Sequence, residues 1–106
     1  MSDEELVIEK NGRKIWFKIW FKKNKKVKER HRDGDLPAII REGQDGACFW
    51  FQDDKLHRYD DKPAAIYPTG KKVWFQRGFV HRDGGLPAVV NADGSEEWWM
   101  DGVRIK

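Results

Sequence analysis

The feature that most constrains this chain is a unit of about 24 residues that returns through most of its length. Trp50-Phe51, Trp74-Phe75 and Trp98-Trp99 follow one another at intervals of 24 residues. His-Arg pairs begin at positions 31, 57 and 81, and each leads through a polar turn into a Pro-Ala pair. A unit of this length at a nearly fixed interval is typical of arrays in which each unit packs against its neighbours.

The residues inside each unit favour strands and leave no room for helices. Residues 15–22 alternate strictly, with branched or aromatic side chains on one face and tryptophan or lysine on the other, which predicts a β-strand. Asn11-Gly12, Asp45-Gly46, Asp93-Gly94 and similar pairs mark hairpin turns, because these residues tolerate positive φ. The sequence predicts an all-β fold, an antiparallel meander of β-hairpin repeats of about 24 residues that forms one twisted sheet.

The repeat also predicts how the chain is divided. We expect a single repeat domain over residues 1–106. Its parts are an irregular first unit 8–40, regular units 41–66 and 67–90, and a truncated unit 91–106.

The tryptophans of the repeat have two interpretations. The strand parity places Trp50, Trp74 and Trp98 on the face opposite the apolar one, among charged residues. In a structural interpretation, an Arg or Lys lies over each indole and contributes about 0.5–2 kcal/mol per pair. In a functional interpretation, the indoles form an adhesive surface, as Trp and Arg do at many interfaces. Trp16 and Trp20 fall outside the regular register and lie beside a basic run, which makes them candidates for binding.

The net charge of +3 divides unevenly along the chain. Residues 1–32 carry eleven Lys/Arg and five acidic residues, a net of +6, whereas residues 33–106 carry ten and thirteen, a net of −3. Seven of the eleven residues in 22–32 are basic. Such a run is typical of a solvated loop or strand end, and it can also form a patch that meets phosphate or an acidic partner.

No arrangement of residues indicates catalysis, a metal or a cofactor. The His-Arg-Asp triplets at 31–33 and 81–83 resemble a kinase catalytic loop, but the other kinase motifs are missing. Equivalent histidines in a meander lie about 9.5 Å apart, too far to share a metal ion. We expect each imidazole to bond the Asp-containing turn that follows it, and Cys48 to be an incidental thiol. The protein is therefore predicted not to be an enzyme.

The sequence also bears on where the protein works. Its longest apolar run is far shorter than the ~18 residues of a membrane-spanning helix, so no membrane insertion is expected. The start of the chain does not resemble a signal peptide. A single cysteine suits a reducing compartment, and together these observations predict a cytoplasmic protein.

The unit resembles the MORN-type β-hairpin repeats. It is most similar to a bacterial and phage variant that combines a Trp-aromatic pair with His-Arg-x-Asp-Gly and Pro-Ala, as in Trp74-Phe75, His81–Gly84 and Pro87-Ala88. The resemblance covers roughly residues 11–106, although Gly85-Leu86 is inserted before Pro87. It implies a fold and a habit of binding proteins or membrane surfaces, and some proteins of this variant are antitoxins.

These observations predict a small non-catalytic protein-binding module. We expect an inhibitor or antitoxin of phage or mobile-element type that occludes a functional surface of a host or toxin complex. One alternative is nucleic-acid binding by the segment Lys22–Arg32 with stacking by Trp16 and Trp20. Another is a self-assembling structural protein or homodimer that pairs through open strand edges. The predicted partner-binding residues are Trp16, Trp20, Lys22, Lys23, Lys25, Lys26, Lys28, Arg30, Trp50, Trp74 and Trp98.

Overall fold

The computed structural model describes residues 3–42 and 45–106, with the backbone alone at Asp3, and this part of the chain contains strands, turns and loops without a helix. Fifteen strands follow one another in the described residues. They are β1 (Asp3–Ile8), β2 (Arg13–Lys22), β3 (Lys25–Arg30), β4 (Ile39–Arg41), β5 (Cys48–Phe49), β6 (Phe51–Gln52), β7 (Lys55–Leu56), β8 (Ala65–Ile66), β9 (Lys72–Val73), β10 (Phe75–Gln76), β11 (Phe79–Val80), β12 (Val89–Val90), β13 (Glu96–Glu97), β14 (Trp99–Met100) and β15 (Val103–Arg104).

All strand pairs are antiparallel, which confirms the predicted all-β class. Nine strands form one sheet in the order β1-β2-β4-β5-β8-β9-β12-β13, and β3 joins it by pairing with β2. The remaining strands form three separate hairpins, β6–β7, β10–β11 and β14–β15. Each hairpin therefore leaves the main sheet and lies beside it, an arrangement that the expectation of one sheet did not include.

The chain leaves the main sheet at the position of each unit's tryptophan, which we call the tryptophan slot. The amide of Trp50 donates to the carbonyl of Ala64 at 2.8 Å, and the amide of His57 donates to the Trp50 carbonyl at 3.1 Å. Trp74 makes the same two bonds with Ala88 and His81, at 2.8 and 3.0 Å. The six residues between tryptophan and histidine form the short hairpin.

The first hairpin is longer than the others. Fourteen residues, 17–30, separate Trp16 from His31, whereas six separate Trp50 from His57, a difference of eight. We call residues 17–30 the basic hairpin. Its turn residues Lys23 and Asn24 have φ values of 49° and 63°, as a two-residue type I′ turn requires. The strands β2 and β3 pair over six residues each, so the turn ends a long hairpin that is part of the main sheet.

The core lies between the main sheet and the row of hairpins and is built from small side chains. One cluster contains Ile15, Ala38, Ile39 and Phe51. A second contains Ala65, Val73 and Val89, and Phe49 packs against both clusters. The alanines of the Pro-Ala pairs are fully buried, because each lies where the loop approaches the sheet most closely.

The units extend along one direction. The molecule measures 47 × 30 × 21 Å, a long shape for its size. Within the described ranges, no helix of the length and apolar character needed to cross a membrane is present.

Candidate partner-binding site

Trp16 belongs to the repeat, contrary to the expectation that it lies outside the register. Its amide donates to the Ala38 carbonyl at 2.7 Å, and its carbonyl accepts from the His31 amide at 3.1 Å, the bonds that define the tryptophan slot. The eight additional residues of the basic hairpin follow Trp16 and conceal the 24-residue spacing in the sequence. Trp20 is outside the register, as expected.

A cation lies over each tryptophan of the repeat. The guanidinium carbon of Arg58 is 3.9 Å from the Trp50 ring centroid, and that of Arg82 is 4.0 Å from the Trp74 centroid. Arg32 lies 3.7 Å from the Trp16 centroid, and the Lys106 ammonium lies 4.7 Å from the Trp98 centroid. These contacts agree with the structural interpretation of the tryptophans.

Trp50 and Trp74 are therefore poor candidates for direct partner binding. Their exposed fractions are 8% and 7%, because the arginine covers one face and the preceding loop covers the ring edge. The Trp50 indole Nε1 donates to the Asp35 carbonyl at 3.0 Å, and that of Trp74 donates to the Asp61 carbonyl at 3.1 Å. Both side chains hold the units together, which corrects their expected place on an adhesive surface. Trp98 is only partly covered.

The same arginines connect each unit to the loop of the unit before it. Arg58 binds both carboxylate oxygens of Asp35, at 2.9 and 3.3 Å, and Lys62 binds the second oxygen at 2.8 Å. These cations lower the pKa of Asp35 to about 2. Arg82 binds both oxygens of Asp61 at 2.9 and 3.1 Å and lowers the pKa of that carboxyl. Each bond pair thus fixes the distance between successive units.

The histidines form a second connection between units. The Nδ1 atom of His31 accepts from the Asp53 amide, that of His57 from the Arg77 amide, and that of His81 from the Asp101 amide, at 3.1–3.2 Å. Each of these amides belongs to the turn of the next hairpin. The imidazole therefore positions that turn.

The other imidazole nitrogen behaves as expected in two units and differently in the third. His31 Nε2 lies 2.8 Å from an Asp33 carboxylate oxygen, and His81 Nε2 lies 2.7 Å from one of Asp83. The expectation was wrong for His57, because Tyr59 takes the aspartate position and its ring meets the imidazole edge-on at 4.5 Å. His57 Nε2 is buried without a partner among the described residues. Burial lowers the pKa of His57, and the nearby Arg77 lowers it further.

The basic hairpin brings most of the predicted cations together with Trp20. Three of its cations are paired: Lys18 with Asp53 and Arg30 with Asp54 at 2.6 Å toward the base, and Lys26 with Glu5 at 2.9 Å nearer the turn. Lys28 lies over the Phe17 ring at 4.7 Å.

The tip of the basic hairpin differs from its base. Lys22, Lys23 and Lys25 are exposed and form no ion pair with the side chains of residues 4–42 and 45–106. Phe21 directly precedes them with 68% of its surface exposed, and Trp20 is partly exposed one residue earlier. The tip therefore combines unpaired positive charge with an exposed aromatic ring.

Other sequence candidates take structural places. Cys48 is partly buried, and burial raises the pKa of its thiol, with a smaller contribution from the carboxylate of Glu42. Asp53-Asp54 and Asp60-Asp61 occupy turns with positive φ. In the part of the chain that the structure describes, no three His, Cys, Asp or Glu side chains come together as a metal site would require.

Asp35 and Asp61 are important side chains that the sequence reasoning missed. Asp35 and Asp61 occupy one loop position, and Gly85 occupies it in the last loop. The corresponding cation of the following unit is Arg58, Arg82 and then Lys106, so the aspartate is present wherever the arginine follows. This internal covariation is the signal that indicates the link in the sequence.

No family model, curated protein or solved structure is significantly similar to this chain.

Proposed function

We propose that this protein is a small non-catalytic binding module that docks onto an acidic surface of another protein through the tip of its basic hairpin. The observation that supports this proposal is the tip itself, where the exposed ring of Phe21 directly precedes three exposed lysines, Lys22, Lys23 and Lys25. Unpaired charge accelerates encounter with an acidic surface, and an aromatic ring supplies the apolar contact at the centre of an interface.

The construction of the hairpin favours binding without reordering. The type I′ turn, the pairing of β2 with β3 and the ion pair between Lys26 and Glu5 fix the tip before a partner arrives. A fixed tip loses little conformational entropy on association, so more of the contact energy contributes to affinity.

The repeat units act in this proposal as a scaffold that blocks access. The tip docks, and the long body lies across whatever surface adjoins the docking point. The mechanism is steric occlusion, as expected for an inhibitor or an antitoxin of the MORN-like variant that the sequence resembles. Function inferred from that resemblance is an analogy, whereas the geometry of the tip is independent of it.

The proposal is tested by reversing the charge of the tip. Lys22, Lys23 and Lys25 are changed to Glu together, and partner capture is quantified by affinity purification from native host cells and then by calorimetry with the purified partner. We expect affinity to fall at least tenfold, because favourable charge pairs become repulsive.

The matched control carries the same change in net charge elsewhere. Lys10, Lys55 and Lys72 are exposed positions outside the basic hairpin, and their triple change to Glu leaves the tip intact. This control keeps the affinity of the native protein if the proposal holds. Equal losses of affinity in the two triple variants would show that net charge, and not the tip, determines binding. No loss of affinity in the tip variant would refute the proposal.

Nucleic-acid binding is the second candidate, because Phe21 and Trp20 lie beside unpaired lysines and could stack on bases. It predicts binding of single-stranded oligonucleotides at about 50 mM salt that weakens steeply as salt rises. A fluorescence titration with DNA and RNA over a range of salt concentrations decides between the two candidates. Self-assembly has less support, since the edge strands β1 and β13 carry Glu4, Glu5, Glu96 and Glu97, and like charges oppose edge-to-edge pairing.

A further inference from the structure

We propose that Trp16 and Arg32 form an open receptor for one aspartate of the partner protein, held in a turn. This inference rests on the proposed function and specifies what the partner presents beside the basic hairpin. Trp16 directly precedes that hairpin and Arg32 follows it by two residues, so the receptor lies at the hairpin's base.

The same receptor occurs twice elsewhere in the chain, and both copies are filled. Asp35 fills the first by giving its carboxylate to Arg58 and its backbone carbonyl to the indole of Trp50. Asp61 fills the second in the same way, with Arg82 and Trp74. One aspartate thus satisfies three donor atoms, the arginine Nε and Nη2 and the tryptophan Nε1.

Arg32 is held in the pose of the two filled copies. Its guanidinium stacks on Trp16 at 3.7 Å, and its Nη1 donates to the Pro37 carbonyl at 3.2 Å. Arg58 and Arg82 make the same bond, each at 3.1 Å, to Pro63 and Pro87. The fork of Arg32 is therefore oriented before a ligand arrives.

The three donor atoms of this copy have no partner among residues 4–42 and 45–106, the residues whose side chains the structure describes. Arg32 Nε and Nη2 and Trp16 Nε1 make no hydrogen bond there, whereas the equivalent atoms of the other two copies all do. The Glu4 carboxylate lies 3.4 Å from the Asp33 amide and forms no ion pair with Arg32. The receptor is complete except for its aspartate.

The two filled copies indicate a specific ligand, whereas the positive charge of Arg32 alone would accept any negatively charged group. Asp35 and Asp61 have φ values of 55° and 54°, which allow one residue to turn its carbonyl and its carboxylate toward the same site. Asp and Asn adopt this left-handed conformation far more readily than other side chains, and only Asp supplies a carboxylate. A planar carboxylate also matches the guanidinium fork in a two-bond arrangement.

A second copy of this chain does not supply the missing aspartate through its last loop. In head-to-tail stacking, the loop of residues 81–87 would reach the receptor, and Gly85 stands at the aspartate position of that loop. Glycine can accept the indole hydrogen bond but has no carboxylate for Arg32. We therefore assign the site to an aspartate turn of a different protein rather than to head-to-tail stacking of this chain.

The test uses a peptide with the sequence of residues 33–37, acetylated and amidated, so that it presents the turn that fills the Arg58 copy. It is titrated into the full-length protein, and the indole and arginine Nε–H signals are followed by NMR. We expect saturable shifts of the Trp16 indole and of Arg32 Nε–H, while the Trp50 and Trp74 indoles stay in place because their sites are filled. The same peptide with Asn in place of the aspartate at position 35 is the ligand control.

Two conservative variants separate the receptor from general charge. Arg32→Lys keeps the charge but removes the planar fork, and we expect peptide affinity to fall at least tenfold. Arg77→Lys changes an exposed arginine elsewhere and should leave affinity unchanged. Absence of saturable shifts, equal shifts with the Asn peptide, or equal affinity of Arg32→Lys would each overturn the proposal.

The outcomes also distinguish this inference from the proposed function. If Lys22, Lys23 and Lys25 are needed for partner capture while Arg32→Lys has no effect on peptide or partner, the receptor is refuted and the binding module stands. If the peptide binds as expected while the charge-reversed tip still captures the partner, the receptor stands and the role of the tip is refuted.

Discussion

Single residues in equivalent positions show how each link between units works. Tyr59 stands where Asp33 and Asp83 stand, and its neighbour His57 is the histidine whose Nε2 lacks a partner in the described chain. The hydrogen bond to the Arg77 amide is kept, so the link to the next hairpin needs only Nδ1. The link between units therefore does not require the aspartate.

This difference makes His57 sensitive to pH. Because its pKa in the folded protein is below the ordinary value of about 6.5, the unfolded chain binds the proton first, and stability falls as pH drops below that value. In Tyr59→Asp a carboxylate meets Nε2, so we expect the pKa of His57 to be higher than in the native protein and this loss of stability to become smaller. An NMR titration of the imidazole and urea unfolding at pH 7.5 and 5.5 measure both effects.

Tyr59→Asn provides the matched control, since it removes the ring without adding charge. We expect the pKa of His57 to stay lowered in this variant. Equal pKa values in the Asp and Asn variants would contradict the electrostatic explanation.

At this scale the sequence predicted which residues recur but not which are covered. The positions of Trp50, Trp74 and the histidines follow from spacing alone. Their burial depends on loops that fold back over the rings, and parity along a strand carries no information about such loops. Trp16 was misassigned for a related reason, because an insertion changes the spacing in sequence while the bonding slot stays the same.

The basic hairpin is an ordinary hairpin of the array with eight more residues. Its base keeps the features of the short ones: Phe17 packs against the same cluster as Phe51, and the Arg30 carbonyl accepts from the Asp54 amide just as Leu56 accepts from Gly78. Its length is thus independent of the contacts that hold the array together.

Replacing residues 18–29 with Gln-Asp-Asp-Lys gives the first hairpin the length of the others. We expect the variant to fold, because Phe17 and Arg30 remain, although it loses the pairing of Lys18 and Ile19 with β1. Partner capture should be abolished because the tip is gone. Circular dichroism and the Trp50 and Trp74 indole NMR signals report the fold, and undiminished capture by a folded variant would contradict the assigned role of the hairpin.

The strand at 15–22 was predictable and its partner was not. Strict alternation of apolar residues identified β2, which the structure places at Arg13–Lys22. β3 is rich in lysine, a residue that is depleted in strands, so its sequence resembled a solvated segment. It is a strand because β2 offers a free edge and the Lys23-Asn24 turn sets the register.

Over the whole molecule, stability depends on links between neighbouring units. Each unit is small, and its core clusters contain side chains from the units beside it. At the surface, the bidentate pairs of Asp35 with Arg58 and of Asp61 with Arg82 also join neighbouring units. Such arrays behave as chains of nearest-neighbour interactions.

These pairs predict how the protein responds to acid. The pKa of Asp35 is about 2 in the folded protein, below its ordinary 3.8, and that of Asp61 is also lowered. Their stabilisation is complete above about pH 4 and is lost as pH falls toward 2, because protonation breaks the pairs. We expect Asp35→Asn with Asp61→Asn to lower the melting temperature at pH 7 and to flatten its dependence on pH between 4 and 2.

Asp60→Asn is the control, since Asp60 is exposed in the same loop and forms no ion pair within the described ranges. It should keep the melting temperature and the acid dependence of the native protein. Thermal melts followed by circular dichroism at pH 7, 4 and 2.5 compare the three proteins, and parallel curves for all of them would exclude these pairs as the cause.

The 24-residue spacing of the links has a consequence for how such a chain can lengthen. A tandem duplication of residues 57–80 would place a new Arg58 opposite the first Asp61 and leave the second Asp61 opposite Arg82. The new His57 would again bond the Arg77 amide 20 residues later. No polar group in the array loses its partner, so one duplication yields a longer protein without any compensating substitution. The distance from the basic hairpin to the far end of the molecule can therefore increase by one unit at a time, while the residues at both ends stay the same.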